Sequence, residues 1–161
     1  MARLYLLLAA IFGGSGVLAG AFASHGLRGQ ISDRALATFE TATRYQLYHA
    51  LALLGLALLL WVLPPMGAAR QSLGLAGAGF VGGILLFCGS LYGLSLAELG
   101  LGDLSLGWVT PLGGLAFLLG WGSLAIAALL LPNQPAPTGS DPISPEAEEI
   151  PATPGKPSPG A

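Results

Sequence analysis

An all-α membrane protein, four transmembrane helices in an antiparallel bundle, follows from three features of the sequence. Only 9% of the 161 residues are charged, 53% are hydrophobic, and the mean hydropathy is +0.72. Soluble domains carry about 25% charged residues. The apolar residues fall into four blocks, each long enough for the ~20 helical residues that cross a bilayer core. None alternates as a barrel strand does, and in lipid every backbone amide must be bonded within its own helix or a closed barrel.

The first span is expected over residues 4–23, without a charge. Its end, "LAGAFASHGLRG" (18–29), carries Ala21-Phe22-Ala23, the pattern of a signal-peptidase site. A signal-peptide core is about 7–15 residues; this run is long enough to span, so the helix is expected to be kept. Ser32 to Arg44 reads as an amphipathic helix feeding the second span. Ser32 can cap it and Asp33 suits the positive end of its dipole. Ala35, Leu36, Phe39 and Ala42 recur at helical spacing, while Arg34, Thr38, Glu40, Thr41 and Arg44 are polar. Glu40 and Arg44 form an i,i+4 pair. This segment either lies on the membrane surface or extends the span beyond it.

The second span is expected over residues 45–63, stopped by Pro64-Pro65, and the third over 73–96. The fourth covers 111–131, opened by Thr110-Pro111 as cap and first helical residue. Residues 1–131 thus form one membrane domain. Residues 132–161 hold nine of the twelve prolines and acids such as Asp141 and Glu146, a composition that predicts a disordered tail. Gly16/Gly20, Gly79/Gly83 and Gly89/Gly93 are spaced four apart, as suits close helix packing. Packing within one bundle is the simpler use; self-association or another membrane subunit is the alternative.

Four antiparallel spans place the two termini on one side and the 1–2 and 3–4 connections on the other. Nearly all groups capable of chemistry then gather at the loop side. His25, Glu40, Arg44, Tyr45, Gln46, Tyr48, His49, Glu98 and Thr110 form a candidate polar rim. His49 is expected about one turn inside the second span, with Tyr45 on the same face and His25 at similar depth. An ionisable group in a span suggests function, whereas tyrosines at this level also serve as an aromatic belt. The rim therefore reads either as loop capping and anchoring or as a vestibule for a small ligand or proton.

Several classes find no footing. No basic block offers nucleic acid an electrostatic footprint. Cys88 is alone, in an apolar run, and reads as a packing residue. No CxxCH motif or tight ligand spacing points to haem or a metal, and Ser24-His25 adjacency does not make a nucleophile and base. No cofactor and no enzyme activity are expected; the partner is the lipid bilayer, in a plasma or inner membrane. Arg3 and Arg70 on the terminal side against Arg28, Arg34 and Arg44 on the loop side leave the orientation open.

The elements "GAFASHGL" (20–27), "TFETATRYQLYHALALL" (38–54), "GSLYGLSL" (89–96) and "TPLGGLAFLLGW" (110–121) together resemble domain-of-unknown-function family 423, the transmembrane protein 256-like proteins. The likeness covers roughly residues 1–131. Ala23-Ser24 departs mildly from the small pair, often Gly-Ala, that precedes His-Gly-Leu in the family. The resemblance implies a small four-helix membrane protein and points to Gly20, His25, Gly26, Glu40, Tyr45, Gln46, Tyr48, His49, Thr110, Pro111 and Gly113. It implies no activity.

Overall fold

The computed structural model of the chain describes residues 1–63 and 67–131. Four helices long and apolar enough to cross a membrane dominate it: Ala2–Leu27, Asp33–Val62, Gly67–Leu99 and Ser105–Leu130. The first comprises α1 (Ala2–Phe22) and a π turn, Ala23–Leu27; the second is a single helix, α2 (Asp33–Val62). The third runs through α3 (Gly67–Gly83), a π turn at Ile84–Cys88, α4 (Gly89–Leu96) and a 3₁₀ turn at Ala97–Leu99. A 3₁₀ turn, Leu104–Trp108, leads into α5 (Val109–Leu130).

The helix ends follow local chemistry. Ser32 Oγ accepts from the Ala35 amide at 3.2 Å, so the expected cap is present. Gly29 turns the chain between α1 and α2 at φ 79°, and Gly100 closes the third span at φ 69°; both conformations are cheap only without a Cβ. The amphipathic segment does not lie on the surface as a separate helix. It is continuous with the second span, because α2 stays covered on its apolar face throughout: Ala35, Phe39, Ala42 and Gln46 are all buried.

Two other expectations need correction. Thr110 does not cap the fourth span. The helix begins earlier, Asp103 accepts from the Ser105 amide at 2.8 Å, and the Thr110 hydroxyl meets Ser90 Oγ at 2.8 Å instead. Arg44 places Nη2 on the Thr41 hydroxyl at 3.3 Å rather than on Glu40, so the i,i+4 ion pair is replaced by a bond within the same turn. The Pro64-Pro65 stop, the Pro132 stop and the tail lie outside the described residues.

The bundle consists of two tight helical pairs, α1 with α2 and α3 with α5, joined where α2 meets the third span. Glycine makes each pair close. Gly16 and Gly20 face Leu47 and Thr43 of α2. Gly79 lies against the backbone of Gly120, Gly83 against the Phe117 ring, and Gly113 against the backbone of Phe87. These spacings are thus spent inside the chain, although Gly89 faces open space. One core cluster centres on Leu53, Leu56, Phe80, Ile84 and Phe117. A second, at the loop end, contains Ala23, Leu27, Ile31, Ala35 and Phe39. Ala23 is 1% exposed and helical, so the last residue of the Ala-x-Ala pattern is packed in the bundle, while Ala21 and Phe22 face outward. Tyr5 Oη donates to the Gly74 carbonyl at 2.8 Å, tying α1 to α3.

Candidate functional site

The polar residues of the predicted rim separate into four places. His25 is exposed on the π turn that ends the first span. Glu98, also exposed, accepts from both the amide and the hydroxyl of Ser32 at 2.7 Å, clamping the start of α2 to the end of the third span. Arg44 and Tyr48 are exposed and Glu40 half-buried along α2, and Tyr45, also partly exposed, lies against Phe87 of the third span. Gln46 and His49 are buried, and Thr110 bridges to Ser90 between the third and fourth spans. The two histidines do not share a level. About 24 Å of helix rise separates His49 from the start of α2, and its neighbours Phe80, Phe117 and Trp121 come from the interiors of the third and fourth helices.

His49 is closed on every side. Nδ1 lies 2.8 Å from the Tyr45 carbonyl. A carbonyl only accepts, so Nδ1 carries the proton. Nε2 is then an acceptor, and Trp121 Nε1–H donates to it at 3.2 Å. The ring stacks on Phe117 at 3.5 Å and 13°, and Tyr45 lies beside this stacked pair, 6.1 Å from His49 and 6.3 Å from Phe117. His49 is 5% exposed and lines none of the four cavities described below. One of these, about 350 Å³, is bordered by Arg34, Thr38, Ser95 and Glu98 at the loop end. A second, about 500 Å³ and almost wholly apolar, lies between α1 and α2 beside Gly13 and Gly14.

Gln46 holds a separate network three residues away. Its Nε2 donates to the Phe12 carbonyl and to Ser15 Oγ, both at 2.8 Å. Because Phe12 O cannot donate, the amide nitrogen faces α1 and Oε1 faces α4. There Tyr92 Oη donates to it at 2.9 Å, with Thr43 Oγ1 at 3.3 Å. Three spans therefore meet at one amide. Two cavities of about 310 and 340 Å³ open beside this network, both bordered by Ala19 and Tyr92.

Among the described residues no group of three His, Cys, Asp or Glu side chains converges to hold a metal ion, and no buried side-chain N or O lacks a partner. Outside the spans, the Ser105 amide holds the exposed Asp103 carboxyl below its ordinary range. Cys88 is fully buried, as a packing residue should be. Sequence reasoning paired Tyr45 with His49 but missed Phe117, Trp121 and Ser15. Phe117 and Trp121 are four apart, one face of a helix, which was the available signal.

The family described as "Protein of unknown function (DUF423)" matches residues 19–114. A UPF0382 membrane protein of Staphylococcus aureus (strain bovine RF122 / ET3-1) is 40% identical over 125 residues, 78% of this chain and 94% of its own length. The chain belongs to this family. YwdK of Bacillus subtilis (strain 168), also a UPF0382 membrane protein, is 39% identical over 127 residues, covering 79% and 97% of the two chains. A UPF0382 membrane protein of Haemophilus influenzae (strain ATCC 51907 / DSM 11121 / KW20 / Rd) is 40% identical over 125 residues, covering 78% and 93%. No solved structure matches. The four spans and the relatives' names agree: this member of the family is a multi-pass membrane protein. The matched region contains every residue of the Gln46 network except Phe12 and Ser15, and all of the His49 cage except Phe117 and Trp121.

Proposed function

We propose that the protein is a non-enzymatic scaffold or accessory protein of the plasma (inner) membrane. The observation that carries this reading is the state of His49: both ring nitrogens are bonded, one face is stacked on Phe117 and the side chain is buried, so it acts as a joint between α2 and α5. Glu98 and Thr110 serve likewise, one clamping α2 to the third span and one bridging the third and fourth. Helical spans, rather than barrel strands, favour the plasma (inner) membrane over an outer membrane. Partner contact with another subunit or a second copy falls to the outward faces of α1, α2 and α5, because Gly16, Gly20, Gly79 and Gly83 are occupied at home.

The alternative is a vestibule around His49 for a small ligand or proton. Against it stand the closed ring and the distance of Glu98, whose cavity is bordered by Arg34 and Ser95 and not by His49. His49→Ala in cells separates the two readings. As a joint, His49 is needed for the fold, so its loss lowers membrane level severalfold and reduces the thermal midpoint of the purified protein. Normal level and midpoint with loss of a deletion phenotype would overturn the scaffold reading.

A further inference from the structure

Above the Tyr5–Gly74 tie, the bundle is open between the second half of α1 and α4. α1 packs on α2, and α4 packs on α2, while α1 and α4 are not one of the tightly packed pairs and flank a groove. Its deeper part is a cavity of about 310 Å³ lined by Ser15, Gln46, Ile84, Cys88, Gly89 and Tyr92 among others. It continues past Ala19 and Tyr92 into a second cavity of about 340 Å³ between Phe22, Phe39 and Leu96. The walls are apolar, while the polar atoms belong to the Gln46 network.

The hydrogen-bond inventory of that network is unbalanced. Gln46 uses both amide protons on α1. Tyr92 has one proton, given to Gln46 Oε1 or shared with Thr43. Thr43 gives its own to the Phe39 carbonyl. Among the described residues no donor reaches Tyr92 Oη, and Gln46 Oε1 keeps a second lone pair. What remains on the side chains of this network is acceptor capacity only, and the one further polar group in the lining, the Cys88 thiol, is a weak donor. Two backbone features border the groove. The π turn Ile84–Cys88 forms its wall, an element that recurs at functional sites. Gly89 follows, and a Cβ built there meets nothing within 4 Å, so no close approach requires glycine at this helical position.

We propose that this groove binds a membrane-soluble molecule with an apolar body and a hydroxyl group, the hydroxyl donating to Tyr92 Oη. The recognised chemistry is one O–H donor on a hydrocarbon, as in a prenol, a quinol or a monoacylglycerol. An ether or ester of the same shape lacks the donor and leaves the acceptor unmet. This site is separate from the His49 joint and extends the accessory reading without depending on it.

Photolabelling of the full chain in nanodiscs tests the proposal, with a diazirine-bearing hexadecanol and its methyl ether as probes. The alcohol labels peptides around Ser15–Ala19 and Ile84–Tyr92. The ether labels them about three- to tenfold less, the factor one hydrogen bond supplies. Tyr92→Phe brings the alcohol down to the ether's level. Gly89→Leu fills the deeper cavity, leaves the Gln46 network in place, and removes labelling by both probes; its role does not depend on Tyr92→Phe remaining folded. Unlabelled prenol, quinol and monoacylglycerol compete in separate arms, and the best competitor identifies the source of the hydroxyl. Equal labelling by alcohol and ether overturns the proposal. So does labelling unchanged by Gly89→Leu, or competition by none of the three, each of which describes ordinary lipid contact.

Discussion

At the scale of single residues, this protein uses polar side chains where lipid provides no competing water. Trp121 and His49 illustrate the energetics. Interhelical hydrogen bonds in membranes contribute about 0.6 kcal/mol on average and up to about 1.7. Here the bond is reinforced by Phe117 stacked on the same ring. A double-mutant cycle on Trp121→Phe and His49→Ala, read by unfolding in mixed micelles, is expected to give a coupling of about 1 kcal/mol. Independent, additive losses would show that the two rings are neighbours without a bond. At the loop end, Ser32→Ala removes a cap and the acceptor's partner on Glu98 together; a loss of about 1 kcal/mol is expected from the cap. Asp103 offers a pH test. Its lowered carboxyl stabilises the Leu104–Trp108 turn above the ordinary aspartate range, and that contribution disappears as pH falls through the depressed value. Protection of the Ser105 amide should fall on that acid limb, and Asp103→Ala should remove the pH dependence.

At the scale of elements, glycine decides how near the helices come. A Cβ at Gly79 would meet the Gly120 backbone at 2.7 Å, and backbone cannot swing aside as a side chain does. Gly79→Ala should therefore force α3 from α5 and cost about 1–3 kcal/mol. Gly55 faces open space, so Gly55→Ala should be neutral or gain up to about 1 kcal/mol of helix propensity. Equal effects in the two variants would contradict the packing account. The spans themselves were legible in the sequence because block length and the bonding demands of lipid leave few choices. Their ends were not. Nothing in "SDRALATFETATR" distinguishes a surface helix from an extension of α2; the buried partners of Phe39 and Ala35 on the first and third spans decide it. The π turns were equally hidden, since neither "ASHGL" nor "ILLFC" carries a residue pattern that sets it apart from ordinary helix.

At the scale of the whole molecule, topology located the polar residues only to one half of the bundle. Tyr45 and His49 were readable as a pair because i,i+4 is a local relation. Trp121 was not, since the bond to His49 joins residues 72 apart. The sequence view also merged two histidines into one rim, whereas His25 sits on the surface and His49 between helices. The two-pair architecture makes a further prediction. Gln30→Cys and Ser105→Cys should react with an impermeant maleimide from one side of the membrane, and Arg70→Cys from the other, while buried Cys88 stays unlabelled. Labelling of Gln30→Cys and Ser105→Cys from opposite sides would break the antiparallel bundle.

The central claim is that His49 is a closed joint between α2 and α5. Nitrogen NMR of the ¹⁵N-labelled imidazole in lipid tests it most directly. The account predicts a single ordered tautomer with the proton on Nδ1, Nε2 unprotonated, and a scalar or dipolar contact from Nε2 to the Trp121 indole proton. A ring protonated at Nε2, or one averaging between tautomers without that contact, would contradict it.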